Sequence, residues 1–120
     1  ECNGNLFFRA TDGVYGYSLW KTDGTANGTF LLKDLTLGNN NDFYLGQYDV
    51  SNSKFYFTYM FYYNQNELWS SDGTVSNTQK VLTNGCDSMF HSLAVVGNTI
   101  FIDNCDNQHG IELWSTNTTS

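Results

Sequence analysis

The chain has 120 residues with 17% aromatic and 40% apolar content, which suffices for a folded core and excludes a disordered segment. The formal net charge is −7 with five lysines and arginines, which argues against nucleic acid or an anionic membrane as a partner, because both ligands require clustered positive charge. No run of about 20 apolar residues occurs, so no membrane-inserted helix is expected.

Short runs of aromatic and β-branched residues, bounded by Asn, Gly and Ser, predict ten β-strands in chain order. No window shows a sustained apolar period of 3.6 residues and proline is absent, so almost no helix is expected. Within one unit the strands are lettered A to D. The predicted strands are Leu6–Phe8 (B), around Trp20 (C), Thr29–Leu32 (D), Leu45–Val50 (A), Lys54–Tyr59 (B), around Trp69 (C), Gln79–Leu82 (D), Met89–Val96 (A), Thr99–Ile102 (B) and around Trp114 (C).

These strands belong to an internal repeat. A Leu-Trp pair recurs at Leu19-Trp20, Leu68-Trp69 and Leu113-Trp114, with spacings of 49 and 45 residues. Fourteen and twelve residues before each tryptophan stand further apolar residues, Leu6 and Phe8, Phe55 and Phe57, Ile100 and Ile102. An Asp-Gly-Thr turn follows the first two tryptophans, and Asn117-Thr118-Thr119 follows the third. The pattern indicates one repeat-built domain or fragment over residues 1–120, with units 1–42, 43–87 and 88–120.

Four short strands in a unit of about 47 residues are typical of a β-propeller blade. The predicted fold is therefore all-β, with four-stranded antiparallel blades and about two and a half blades in this chain. Adjacent Leu and Trp side chains point to opposite faces of a strand, so each blade is expected to pack on both sides. The predicted buried positions between blades are Trp20, Trp69, Trp114, Leu19, Leu68 and Leu113.

The strands group as three, four and three along the chain, and a closed toroid requires at least four blades. Two alternatives follow for the chain as given. It is a fragment of a longer array, or neighbouring copies complete one another's terminal blades by strand addition.

The residues after the first tryptophan carry a resemblance to a known family. Residues 19–35 read LWKTDGTANGTFLLKDL, residues 67–74 read ELWSSDGT, and residues 112–116 read ELWST. The chain resembles extracellular surface proteins built on the consensus ELWxTDGTxxGTxLVKDI, which are similar to β-propellers. The resemblance implies this architecture and an extracellular or cell-surface location, and it supplies no catalytic residues.

The three cysteines are assigned from strand alternation. Cys86 lies in a D–A turn and Cys105 in a B–C turn, and these turns share one rim of an antiparallel meander, so we predict a Cys86–Cys105 disulfide. Cys2 lies in an A–B turn on the opposite rim and is left for a flanking segment or a neighbouring subunit.

Two glycosylation sequons begin at Asn27 and Asn117, in or just after C–D turns. Together with the separated cysteines and the low content of charged residues, they favour a secreted protein. The chain starts at Glu1 without an apolar leader, which fits a mature or excised segment. We expect Asn117 to be glycosylated.

Residues capable of catalysis do not form a recognisable site. His91 and His109 lie outside any nucleophile motif and are assigned structural roles. Glu67 and Glu112 share one repeat position, for which cross-strand packing is favoured over a glycosidase carboxylate pair. No enzyme activity and no cofactor are predicted. Calcium is the alternative for the acidic turns, but turn formation is the favoured interpretation for Asp12, Asp42, Asp87, Asp103 and Asp106.

An aromatic segment provides a candidate contact patch, Tyr59, Phe61, Tyr62 and Tyr63. Such a patch stacks on a sugar or packs against a neighbouring subunit. The predicted function is an extracellular structural or adhesive module, part of a larger propeller, coat or filament, with neighbouring copies or flanking blades as partners. The alternative is a carbohydrate-binding propeller with glycans as ligands.

Overall fold

The computed structural model describes residues 1–14, 16–36, 43–61, 66–86 and 88–118. These residues contain ten β-strands and no helix. The strands are β1 (Leu6–Thr11), β2 (Tyr17–Thr22), β3 (Phe30–Lys33), β4 (Phe43–Ser51), β5 (Lys54–Phe61), β6 (Glu67–Ser71), β7 (Gln79–Thr83), β8 (Leu93–Val96), β9 (Thr99–Asp106) and β10 (Gly110–Asn117).

The strands form three antiparallel sheets of three, four and three strands. Sheet 1 has the order β1-β2-β3, sheet 2 the order β4-β5-β6-β7, and sheet 3 the order β8-β9-β10. Each sheet is a meander of consecutive strands, and none closes on itself. The predicted all-β class and the division of ten strands into three, four and three are confirmed.

Sheet 2 packs between the other two sheets because its central strand β5 is apolar on both faces. Phe55, Phe57 and Tyr59 alternate along β5 and lie in the core shared with sheet 1. Tyr56 lies on the opposite face in the core shared with sheet 3, together with Leu68 of β6. The consecutive aromatic residues Phe55-Tyr56-Phe57 of β5 thus reflect burial on both faces.

The Asp-Gly-Thr turns of the first two units have the same hydrogen bonds and backbone conformation. Asp23 Oδ1 accepts the backbone N–H of Thr25 at 2.9 Å and its hydroxyl at 2.7 Å. Asp72 Oδ1 accepts the same pair of bonds from Thr74, at 2.9 and 2.7 Å. The glycine between the aspartate and the threonine has φ of 93° in the first turn and 90° in the second, a conformation that favours glycine. The equivalence of the units therefore extends from sequence to hydrogen bonding.

The first strand of sheet 3 is shorter than predicted. It begins at Leu93 instead of Met89, because the Asp103 carboxylate engages the backbone before it. The N–H groups of His91 and Ser92 donate to Asp103 Oδ1 at 2.9 and 2.8 Å. These bonds hold residues 91 and 92 in an irregular segment that enters β8 at Leu93.

The Asp103 carboxylate is expected to make stability depend on pH. Burial alone would raise the pKa of Asp103, but the N–H groups of Ser92 and His91 and the His91 side chain together lower it below its ordinary value. A lowered folded-state pKa adds stability above the unfolded-state pKa of about 4, and that stability is lost as pH falls through the folded-state value. Asp103→Asn should therefore be less stable than the wild type at neutral pH, with the difference shrinking in acid. Urea unfolding at pH 7 and pH 3 measures this difference, and an unchanged difference at the two pH values would contradict the assignment.

Candidate functional site: an open sheet face and an aromatic cleft

The three Leu-Trp pairs lie on the equivalent strands β2, β6 and β10, but only two of the leucines are covered. Leu19 and Leu68 are completely buried, whereas Leu113 is 72% exposed. The prediction that all three leucines form buried core is wrong for Leu113. The reason is that sheet 2 covers the face of Leu19 and sheet 3 covers the face of Leu68, while no described residue covers the face of Leu113.

The tryptophans lie on the opposite faces and are less buried than predicted. Trp20 and Trp69 are half-buried, and Trp114 is 42% exposed, so burial of all three indoles is also wrong. Trp69 packs against the core shared with sheet 1. In sheet 2, therefore, the leucine faces the following sheet and the tryptophan faces the preceding one.

Glu67 is a structural partner of Trp69. Its carboxylate accepts the Trp69 indole N–H at 2.8 Å and pairs with the Lys80 ammonium at 3.0 Å. The bond to Trp69 lies within β6, and the pair with Lys80 crosses to β7, as expected for a cross-strand role. Glu112, at the same repeat position in β10, is exposed.

The outer face of sheet 3, defined by Phe101, Ile111, Leu113 and Val96, is an open apolar surface. Ile111, Leu113 and Val96 are each more than half exposed, and Phe101 is half-buried. Phe101 occupies the repeat position of Tyr56, which is buried between sheets 2 and 3. A surface of large exposed apolar side chains that matches a buried one elsewhere in the fold is a candidate interaction site.

An aromatic cleft of about 320 Å³ opens between sheets 1 and 2. The rings of Phe7 and Phe55 stack at a centroid distance of 4.7 Å, and those of Phe55 and Phe57 at 5.1 Å. Tyr48 lies 6.2 Å from Phe55 and is 70% exposed. The lining residues are Glu1, Leu6, Phe7, Leu45, Tyr48, Phe55 and Phe57. This combination of a hydrophobic floor and an exposed phenol is suited to an apolar or amphipathic ligand.

The cysteines are placed as one bridge and one buried thiol. Cys86 and Cys105 form the predicted disulfide, with a Cα–Cα distance of 5.8 Å. Cys2 lies buried in the core between sheets 1 and 2, and this burial raises the pKa of its thiol. A buried thiol favours a packing role over the predicted partner outside the chain.

The predicted aromatic contact patch is not assembled as expected. Tyr59 is buried, 5.0 Å from Phe43, and its hydroxyl donates to the Leu35 carbonyl at 2.8 Å. The prediction that Tyr59 belongs to an exposed patch is wrong, because strand alternation turns it toward sheet 1. Phe61 ends β5, its side chain lies outside the described set, and Tyr62 and Tyr63 lie outside the described residues.

The acidic turns and the histidines form local hydrogen bonds. Asp106 Oδ1 accepts the N–H groups of Gln108 and His109, and its Oδ2 lies 3.1 Å from His109 Nδ1. This hydrogen bond, reinforced by the Asp106 charge, raises the pKa of His109. Asp12 accepts the N–H of Val14 at 2.9 Å, while Asp42 and Asp87 lie outside the described residues. Among the residues that the structure describes, no group of three His, Cys, Asp or Glu is arranged to hold a metal ion.

Two features of the site were not singled out by sequence reasoning. Tyr48 and Ile111 are exposed apolar residues on strands whose equivalents contribute to the core. The repeat contained a signal that could have identified Tyr48. Tyr48 lies 21 residues before Trp69, as Leu93 does before Trp114, so the two residues occupy one repeat position.

Comparisons of the chain with protein-family models, with curated proteins and with solved structures find no match. In the described part of the chain no helix has the length and apolar character needed to cross a membrane. Function is therefore inferred from the two surfaces themselves.

Proposed function

We propose that this protein is an extracellular structural repeat module whose sheets stack as blades of β-propeller type, and whose outer face of sheet 3 is covered by a further sheet of the same kind. One observation carries the proposal. Leu113 is 72% exposed, although the leucines at its repeat position in β2 and β6 are completely buried by a following sheet. A following sheet would extend to sheet 3 the packing already present twice in the chain.

The opposite end of the stack carries the complementary surface. Leu6, Phe8 and Trp20 of sheet 1 occupy the repeat positions of Phe55, Phe57 and Trp69, through which sheet 2 contacts sheet 1. Leu6 is more than half exposed, and Phe8 and Trp20 are half-buried. Two different complementary faces produce a head-to-tail contact between copies, which closes into a ring or continues as a filament.

Self-association tests the proposal. Sedimentation velocity over a range of concentrations should show the wild-type chain forming oligomers, whereas Leu113→Ser should sediment as a monomer. Leu6→Ser, on the complementary face, should have the same effect. Val75→Ser is the matched control, because Val75 is 57% exposed, close to Leu6 at 55%, but lies outside the strands. A wild-type chain that stays monomeric, or a Leu113→Ser chain that assembles normally, would refute this mode of assembly.

The extracellular location is supported by the Cys86–Cys105 disulfide and by two exposed sequon asparagines, Asn27 and Asn117. We expect a glycan on Asn117, which lies at the end of β10 where a bulky group displaces no core residue. Intact mass before and after enzymatic deglycosylation measures occupancy in secreted protein. Asn117→Gln should remove the mass difference that Asn27→Gln retains, and a wild-type mass unchanged by deglycosylation would disprove glycosylation.

We assign no catalytic activity to the module. The carboxylate of Glu67 is held by Trp69 and Lys80, and the two histidine rings hydrogen-bond to the carboxylates of Asp103 and Asp106. These contacts support structural roles for the residues that chemistry would otherwise single out.

Carbohydrate binding is the second candidate function, and the aromatic cleft favours it. Exposed aromatic rings stack on sugar faces, and the exposed Tyr48 ring lies beside the Phe55 ring, at a centroid distance of 6.2 Å and tilted by 45°. A glycan array with the wild type and Tyr48→Ser tests this function. Saturable binding by a monomer that is lost in Tyr48→Ser would support the lectin, and an array without signal would exclude it for the glycans present.

A further inference from the structure

Among the residues that the structure describes, the first strand of sheet 1 is paired with another strand along one edge only. β1 pairs with β2, whereas the equivalent strands β5 and β9 each pair with a strand on either side. Leu6 and Phe7 of β1 line the aromatic cleft. The edge of β1 that no described strand occupies therefore adjoins the apolar cleft, which is the arrangement that an added β-strand requires.

Repeat-equivalent residues show what normally covers the cleft side of sheet 2. Leu93 and Val95 of β8 are half-buried, and β8 lies against β4 of the preceding sheet. Their equivalents in β4 are Tyr48 and Val50, which are 70% and 39% exposed. In sheet 3 these two positions are covered by β4 of the preceding sheet. In sheet 2 they are exposed, because the described part of sheet 1 has no strand equivalent to β4.

Polar contacts between the first turns of neighbouring sheets are also repeated. Asn52 Nδ2 donates to the Gly97 carbonyl at 2.7 Å, joining the first turn of sheet 2 to that of sheet 3. Asn3, at the repeat position of Asn52, donates to the Ser53 carbonyl at 2.9 Å. The first turn of sheet 1 is therefore hydrogen-bonded to sheet 2, as the first turn of sheet 2 is hydrogen-bonded to sheet 3.

A further polar contact joins β8 to β4, and its equivalent in sheet 2 is made within β4 itself. The backbone N–H of Val95 donates to Asp49 Oδ2 of β4 at 2.7 Å. Val50, the repeat equivalent of Val95, already donates its N–H to Asp49 Oδ1 at 2.7 Å, so a strand beside β1 would need no acidic residue at this position. Its apolar residues, at alternate positions, would fill the cleft over Phe7 and Phe55.

We propose that the open edge of β1 and the aromatic cleft together bind an extended polypeptide segment with the pattern of β4, adding a fourth strand to sheet 1. The segment has apolar residues at alternate positions, which enter the cleft. The polypeptide is favoured over a sugar because it satisfies the β1 backbone as well as the apolar lining. The inference rests on the same repeat equivalence as the proposed function; the two surfaces share Leu6 and otherwise consist of different residues.

A peptide-binding experiment tests the inference. The probe is a fluorescein-labelled nine-residue peptide with the sequence of Phe43–Ser51, titrated with the full 120-residue chain and followed by fluorescence anisotropy. We expect saturable binding that is about tenfold weaker in Tyr48→Ser, because the exposed phenol becomes covered in the complex. The same peptide with N-methyl groups at alternate residues should not bind when they block the N–H groups that pair with β1.

Leu113→Ser separates this inference from the proposed assembly. It should bind the peptide as the wild type does while failing to self-associate, and Tyr48→Ser should self-associate normally. Peptide binding without self-association would refute the proposed function and leave this inference standing. Three results would each overturn the inference. They are equal peptide affinity of the wild type and Tyr48→Ser, equal binding of the two N-methylated isomers, and binding of a sugar in the cleft without binding of the peptide.

Discussion

Replacing Leu68 by alanine should lower the free energy of unfolding by about 2–5 kcal/mol, whereas the same replacement at Leu113 should change it by less than about 0.5 kcal/mol. The two leucines share a repeat position, a strand type and a tryptophan neighbour. They differ in burial, because Leu68 is completely buried in the core between sheets 2 and 3 and Leu113 is 72% exposed. The comparison thus isolates the contribution of the covering sheet.

Urea unfolding followed by circular dichroism measures both changes, at a protein concentration where the chain is monomeric. Leu19→Ala provides a second buried case, since Leu19 lies in the other core and is also completely buried. Comparable losses at Leu68 and Leu113 would contradict the stacking order, since they would require Leu113 to be covered in the monomer as well.

Removing the Cys86–Cys105 disulfide is expected to destabilise the protein by about 3 kcal/mol, the loss of loop-closure entropy for a bridge of this span. The two cysteines are separated by 19 residues, and the closed loop includes β8 and most of β9. The bridge therefore restrains two of the three strands of sheet 3 in the unfolded chain. The variant to measure is Cys86→Ala with Cys105→Ala, which removes both sulfurs and leaves no buried hydroxyl.

Reductant supplies the matched control for this variant. Dithiothreitol should lower the unfolding midpoint of the wild type towards that of the double alanine variant and should leave the variant unchanged. A reductant effect on the variant would implicate Cys2, the remaining thiol. A wild type that is insensitive to reductant, with Cys86 and Cys105 unbridged in peptide maps, would contradict the assignment.

The sequence determined the strands, their grouping and the disulfide. Local alternation of aromatic and polar residues specifies a strand without knowledge of its neighbours, and the fixed offsets from each tryptophan align the three units. The Cys86–Cys105 pairing followed from the direction of successive strands, which is a property of an antiparallel meander. These features depend on residues close in sequence, and the structure agrees with them.

Which of the equivalent apolar positions are buried was decided by the tertiary structure. Leu68 and Leu113 have the same sequence environment, and Tyr59 and Tyr48 are both aromatic residues in strands of sheet 2, yet Leu68 and Tyr59 are buried while Leu113 and Tyr48 are exposed. An apolar side chain is buried only when another sheet lies over its face, and which sheets lie over one another is set by contacts between distant units. The repeat therefore specified the surfaces that can pack, and the arrangement of three sheets decided which of them remained open.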